Sequence, residues 1–169
     1  MRSRTYNLAV CGVFGSIQLV SLILAYYVDF LSLTLNAVAA IAMAVPLTKK
    51  FYRESIIAYI SVSLLAFLTV GAVGSLPYIL FGGSYTLFTV FMHNSNVKYL
   101  ITVPIKIAWV NLAFFLLYSV FKVLVVDPGK VMPYFVYAII ISAAVIPLDI
   151  IALKFYDVIR AKSDIIFKE

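Results

Sequence analysis

The chain has 169 residues, of which 64% are hydrophobic and only 12% are charged. A soluble domain is close to half apolar and a quarter charged, and a chain of this length cannot bury so much apolar surface in water. The composition therefore excludes a soluble globular fold and predicts one integral membrane domain, 1–169.

The net charge of +6 does not indicate nucleic-acid binding. The basic residues lie in short gaps between apolar runs, which is the pattern of loops that face anionic lipid headgroups. The single cysteine, Cys11, excludes an internal disulfide framework and a cysteine-based zinc cluster. The single histidine, His93, lies in a polar segment that reads as a loop. We therefore expect the lipid bilayer as the surrounding partner, no nucleic acid, no metal and no cofactor.

The N-terminal segment resembles a signal peptide, because Arg2 and Arg4 precede an apolar run. The run 8–27 is long enough to span a bilayer, and no small-x-small cleavage site follows it. We therefore predict that this segment is retained as the first helix.

Apolar runs bounded by charges, prolines and glycines predict an all-α bundle of about six transmembrane helices. A turn at Asp29 joins the first two helices, an uncharged linker covers 71–76, and a charged tail covers 157–169. The fourth helix is short and contains Gly82 and Gly83, so a re-entrant segment is the alternative there. The predicted helices are 7–27, 31–47, 53–71, 77–92, 98–126 and 133–156.

The basic residues fall unequally on the two sides of this bundle, which sets its orientation. Lys122 and Lys130 lie on one side. The other side is therefore cytoplasmic, and both chain ends lie in the cytoplasm of a multi-pass protein of the cell membrane. The cytoplasmic basic residues are Arg2, Arg4, Lys49, Lys50, Arg53, Lys98, Lys154, Arg160, Lys162 and Lys168.

Two ionisable residues lie within predicted helices. Lys106 and Asp149 sit about 10 Å and about 8 Å from the cytoplasmic ends of consecutive helices, and each follows a proline by two residues, Pro104 or Pro147. One interpretation is a polar site for substrate or proton. The other is a pair that locks two helices, or a lysine that extends to the interface. Paired catalytic carboxylates and a phosphate-binding glycine loop are absent, so we do not expect an enzyme.

Uncharged polar residues lie in or beside the outer half of the predicted bundle. Such residues bond to neighbouring helices or anchor the helix ends at the interface. Alternatively, they line a small-molecule pocket, since amides and rings with a polar tip suit that role. The candidate substrate-binding residues are Tyr27, Asn36, Asn111, Tyr118 and Tyr137.

Small residues four apart mark the first helix, in the pairs Cys11/Gly15 and Gly12/Ser16. This spacing allows helix backbones to approach closely. The two interpretations are packing within the bundle and contact with a partner protein.

Three segments are distinctive: LPYILFGG at 76–83 leading to Tyr85, IKIAWVNLAFF at 105–115, and 149–160 with its Phe155-Tyr156-Asp157. With six helices, both ends in the cytoplasm and small residues four apart on the first helix, the chain resembles the substrate-binding S-component of energy-coupling-factor (ECF) transporters. The three segments resemble, in particular, an uncharacterised bacterial group of S-component-like membrane proteins. The resemblance implies that the small residues of the first helix contact a transmembrane coupling subunit. It also implies that two ATPases supply energy, and that an outer pocket binds a vitamin-like or other small solute.

The alternative function is a small non-transporting membrane scaffold or regulatory protein of a membrane complex. A polar outer cavity would favour the transporter subunit, whereas a solid apolar core would favour the scaffold. An intramembrane enzyme is disfavoured because the chain has one histidine and few acids within its helices.

Overall fold

The computed structural model describes residues 4–95, 98–124 and 134–166, and this part of the chain is helical almost throughout, without strands. A short 3-10 turn, Asp29–Leu31, follows the first helix, and a π-helical segment, Tyr78–Gly83, follows the third. The α-helices are α1 Arg4–Tyr27, α2 Ser32–Thr48, α3 Tyr52–Pro77, α4 Ser84–Asn94, α5 Tyr99–Leu124 and α6 Tyr134–Ile166.

The all-α prediction is confirmed, and the helices have the length and composition of membrane spans. Large apolar side chains face outward, as with Leu33, Leu68 and Leu100, which are 87%, 71% and 85% exposed. Lipid accommodates such a surface, whereas water does not. Five helical runs of the described chain are long and apolar enough to cross a membrane: Thr5–Tyr27, Asp29–Thr48, Tyr52–Asn94, Leu100–Ser119 and Ala138–Lys162.

The third of these runs, Tyr52–Asn94, reverses its direction at Gly71. This residue has φ 71° and ψ −176°, which is not helical. The hydroxyl of Tyr59 donates a hydrogen bond to the carbonyl of Ile79 at 2.6 Å. The ring centroids of Tyr52 and Phe91 are 5.9 Å apart. In a straight helix Tyr52 and Phe91 would lie about 58 Å apart. The segments before and after Gly71 therefore lie antiparallel, side by side.

The structure differs from the sequence prediction at several places. The predicted fourth helix 77–92 is divided, since α3 ends at Pro77, a π-helical segment follows, and α4 begins at Ser84 and extends to Asn94, so that His93 is helical. Within the expected linker 71–76 only Gly71 leaves the helical conformation, because one glycine at positive φ suffices to turn the chain. The expected tail 157–169 is helical as far as Ile166, since no glycine or proline follows Pro147 to end α6. Residues 125–126 and 133, which belong to predicted helices, and 167–169 lie outside the described residues.

The bundle is built around α2. Gln18 of α1 meets Met43, and Leu22 packs with Ala39, so α1 and α2 are antiparallel. α2 also packs against α4 and α6, while α5 packs against α6. One apolar cluster contains Leu22, Ala39, Val62, Ala66 and Tyr78, and a second contains Met43, Ala44, Leu47, Val90 and Tyr156.

Candidate functional site

A buried polar cluster joins α4, α5 and α6. Lys106 Nζ lies 2.6 Å from Asp149 Oδ1, and these side chains are 3% and 1% exposed. The hydroxyl of Tyr85 donates to the same carboxylate oxygen at 2.8 Å. The lysine nitrogen also lies 6.0 Å from the centre of the Tyr85 ring, at the limit of a cation–π contact. Lys106 therefore faces the bundle interior and does not extend to the interface.

The antiparallel packing of α5 and α6 explains why these residues meet. Lys106 and Asp149 lie at similar depth, and the amide of Asn111 donates to Ser142 Oγ at 3.0 Å further along the same pair of helices. Two polar contacts thus fix the register of α5 against α6. Tyr85 adds α4 to the first contact, and this contribution was not predicted from the sequence.

The cluster is electrically neutral but incompletely bonded. Lys106 and Asp149 carry opposite charges, so each offsets part of the cost of removing the other from water. Both described donors bond to Oδ1, whereas Asp149 Oδ2 is buried and has no hydrogen-bond partner among the described residues. An acceptor left in this state carries a desolvation cost of roughly 1–3 kcal/mol.

A cavity of about 460 Å³ lies beside this cluster, between α2, α4 and α6. Its volume is within the range of small-molecule sites. Alanines of α2 form one wall and leave the space that larger side chains would fill. The cavity as a whole is largely apolar. It is lined by Ala37, Ala40, Ile41, Ala44, Phe81, Gly82, Tyr85, Thr86, Thr89, Val90, Val110, Val145, Leu148, Ile151, Ala152, Phe155, Tyr156 and Ile159.

Tyr85 connects the cavity to the buried cluster. Its side chain lines the cavity, and its hydroxyl bonds to Asp149. On α6, Val145 and Ala152 precede and follow Asp149 by about one turn, and both line the cavity. The Lys106–Asp149 pair therefore stands directly behind the cavity wall.

A second buried polar group lies where α1, α2 and the π-helical segment meet. Tyr78 OH donates to Gln18 Oε1 at 2.6 Å, and Gln18 Nε2 lies 3.5 Å from Met43 Sδ. Both Gln18 and Tyr78 are buried. Gln18 was not predicted as a functional residue, although a lone amide within an apolar helix indicates an interhelical hydrogen bond.

Two of the three predicted substrate-binding tyrosines, Tyr27 and Tyr118, have side chains that the structure describes. Tyr27 is 73% exposed at the end of α1, and Tyr118 is half-buried on α5. The side chain of Tyr137 lies outside the described residues. Neither Tyr27 nor Tyr118 lines the 460 Å³ cavity.

The two predicted asparagines are also directed elsewhere. Asn36 Nδ2 donates to the carbonyl of Ser32 in its own helix at 2.9 Å. Asn111 Nδ2 donates to the carbonyl of Ile107 at 2.9 Å and to Ser142. Neither asparagine lines the 460 Å³ cavity, so the described contacts of Asn111 are those of an interhelical link.

The small residues of α1 divide between an inner and an outer face. Cys11 is buried with its Sγ 4.0 Å from Ser55 Oγ, and a β-carbon added at Gly15 would lie 3.4 Å from Val62. A β-carbon added at Gly12 would meet nothing within 4 Å. Cys11 and Gly15 thus pack against α3, whereas Gly12 faces open space.

A groove of about 270 Å³ follows this outer face between α1 and α3. Ser16 is exposed there, and its hydroxyl donates to the carbonyl of Gly12 at 3.0 Å. Ala58 and Ser61 line the opposite side of the groove. Small residues on both sides let another helix approach this groove closely.

Within the described residues, no group of three His, Cys, Asp or Glu side chains is placed to hold a metal ion. His93 Nε2 lies 3.6 Å from Asp157 Oδ1, and both side chains are partly exposed. Comparison of the chain with protein-family models, with curated proteins and with solved structures finds no match.

Proposed function

We propose that the protein is the membrane-embedded binding subunit of an ECF-type importer, and that it takes a small solute into the cavity between α2, α4 and α6. The cavity carries this proposal, because it has the volume of a small-molecule site and a buried polar cluster stands behind its wall. It differs from the polar outer pocket expected from the sequence, because its wall is largely apolar and extends along α6 to Ile159, towards the end assigned to the cytoplasm. Energy would come from two ATPases acting through a transmembrane coupling subunit.

The chain crosses the cell membrane six times in this proposal, with both ends in the cytoplasm. The reversal at Gly71 supports six crossings, because it divides Tyr52–Asn94 into two antiparallel segments. Their lengths are roughly 28 and 34 Å, and a bilayer core is about 30 Å thick. The distribution of basic residues supports the cytoplasmic position of the ends.

Cysteine labelling in intact cells tests this topology. In a Cys11→Ser background, Phe30→Cys is expected to react with an impermeant thiol reagent, because Phe30 is 94% exposed in the turn between α1 and α2. Ser95→Cys and Glu169→Cys are expected to react only after the cells are permeabilised. Labelling of position 169 from outside would contradict the six-crossing arrangement.

Co-purification tests the binding function. The protein, extracted in mild detergent, is expected to retain a small molecule, a polytopic subunit and ATPases in native mass spectrometry. Ala152→Phe fills part of the cavity and is expected to remove the small molecule but not the protein partners. Ala161→Phe, on the exposed surface of α6 away from the cavity, is the matched control. Loss of the small molecule in both variants, or its retention in both, would contradict binding in this cavity.

The groove between α1 and α3 is the proposed contact with the coupling subunit. Gly12→Leu is expected to abolish co-purification of that subunit without lowering the melting temperature, since open space surrounds Gly12. Gly15→Leu is expected to lower stability by about 1–3 kcal/mol, because Val62 must move to accommodate it. A Gly12→Leu protein that still holds its partner would reject this surface.

A scaffold is the second candidate function, and the outward small residues of α1 and α3 favour it as well. A scaffold would co-purify with a polytopic partner but without a small molecule, and Ala152→Phe would leave the co-purified components unchanged. The co-purification experiment therefore separates the two functions.

A further inference from the structure

The polar side chains around the cavity between α2, α4 and α6 do not offer hydrogen bonds to an occupant. The hydroxyls of Tyr85 and Tyr156 donate to side chains of other helices at 2.8 and 3.1 Å, and that of Thr86 donates to a carbonyl of its own helix at 2.7 Å. Thr89 Oγ1 is buried beneath the wall. No other polar side chain lines the cavity among the described residues. A polar ligand would therefore lose its hydrogen bonds to water without replacing them.

The cavity is long and narrow. On α6 its lining residues extend from Val145 to Ile159, which is about 21 Å along the helix axis. A volume of about 460 Å³ over this length corresponds to a passage about 5 Å across. A helix of a partner or of a second copy is about 10 Å across and does not fit. Non-bonded carbon atoms pack about 4 Å apart, so the passage has room for one unbranched hydrocarbon chain.

The cavity opens sideways between α2 and α6. Ile41 of α2 and Leu148 and Ile151 of α6 line the cavity and are 37%, 58% and 59% exposed. They belong to Asp29–Thr48 and Ala138–Lys162, which are long and apolar enough to cross a membrane. The opening therefore faces the hydrocarbon core of the bilayer, and a molecule dissolved there reaches the cavity without passing through water.

We propose that the cavity binds an unbranched hydrocarbon chain, which enters from the bilayer between α2 and α6. Contact of the chain with the apolar wall replaces the hydrogen bonds that a polar ligand would need. This inference rests on the proposed function and names the substrate class of the same cavity: a lipophilic molecule with a long alkyl chain rather than a polar, vitamin-like solute.

Photolabelling tests the assignment. The full-length protein in phosphatidylglycerol nanodiscs is labelled with a diazirine derivative of hexadecane, and separately with a phosphatidylglycerol that carries the diazirine in one acyl chain. Label is mapped by peptide mass spectrometry. Ala44 and Val90 line the cavity and are buried, so their labelling is expected to saturate. Labelling of Leu68, which is 71% exposed to the surrounding lipid, is expected to rise in proportion to the probe.

Saturation by either probe supports the proposal, and the comparison shows whether the chain is free or part of a phospholipid. Ala152→Phe is expected to lower cavity labelling about ten-fold, the effect of losing roughly two buried methylene groups, whereas Ala161→Phe keeps the wild-type level. Leu148→Trp narrows the opening and is expected to slow labelling. Leu112→Trp is its matched control, because Leu112 is 52% exposed on α5 and does not line the cavity.

Labelling of Ala44 and Val90 that is absent, does not saturate, or is unchanged in Ala152→Phe would overturn the hydrocarbon-chain assignment. The proposed function would survive that result if the purified protein still retained a small molecule that Ala152→Phe removes. Absence of both the saturable label and the retained molecule would reject the cavity as a ligand site. Labelling of Leu148→Trp at the wild-type rate would overturn entry between α2 and α6.

Discussion

Lys106→Met and Asp149→Leu are each expected to lower the free energy of unfolding by about 3–5 kcal/mol, because each leaves the opposite charge buried without its counter-ion. This cost applies to charges that are both buried and in direct contact. Lys106 and Asp149 meet both conditions, because they are 2.6 Å apart and almost completely buried. The double variant is expected to recover most of the loss, since apolar side chains of similar volume replace a buried pair at little cost.

Tyr85→Phe shows how much of the loss of stability comes from one hydrogen bond rather than from the ion pair. It removes one hydrogen bond to the carboxylate but leaves the ion pair, so a loss of about 1.5–3 kcal/mol is expected. Thermal unfolding of the wild type and the four variants in one detergent measures these differences. Additive losses in the double variant would contradict a stabilising pair. Recovered stability without recovered uptake would assign Lys106 and Asp149 to transport rather than to structure alone.

The all-α fold and the matching level of Lys106 and Asp149 on adjacent helices could be predicted from the sequence, because apolar runs mark helices and distance along a helix gives the level. A charge in an apolar run marks a buried site, and 1.5 Å per residue gives its depth. Lys106 and Asp149 lie on consecutive helices, so antiparallel packing alone brings them together. The same reasoning gave Asn111 a position within α5, but not its partner Ser142 on α6.

Contacts between distant helices could not be predicted in this way. Tyr85 and Asp149 are 64 residues apart in the chain, and their contact requires α4 to pack beside α6. Ala152 and Ala40 meet the same cavity only because α2 lies at the centre of the bundle. Hydrophobic runs indicate which segments are helices, but they carry little information on which helices are neighbours.

The sequence predicts a break within 71–76, but it does not identify Gly71 as the residue that turns the chain. Gly71 and Gly74 lie in the same apolar stretch. Nothing in the sequence shows which of them turns the chain and which allows a neighbouring side chain to pack closely. Of these two glycines, only Gly71 has positive φ. Gly74 instead makes room for a ring, since a β-carbon there would lie 2.7 Å from Tyr26 Cδ2.

Gly71→Ala is expected to lower the free energy of unfolding by about 1–3 kcal/mol, although a new β-carbon would meet nothing within 4 Å. The cost comes from the backbone alone, because φ 71° with ψ −176° is a conformation that essentially only glycine adopts. Gly12→Ala is the matched control: the same methyl group enters open space in a helix, where alanine is more stable by about 0.5–1 kcal/mol.

The two variants should therefore move the midpoint of thermal unfolding in opposite directions in the same detergent. A Gly71→Ala protein as stable as the wild type would mean that Gly71 does not adopt the positive φ on which the reversal depends. Tyr59 could then not reach the carbonyl of Ile79, and Tyr52–Asn94 would have to turn elsewhere. Cysteine accessibility at position 95 in Gly71→Ala shows whether the second segment still returns to the cytoplasmic side.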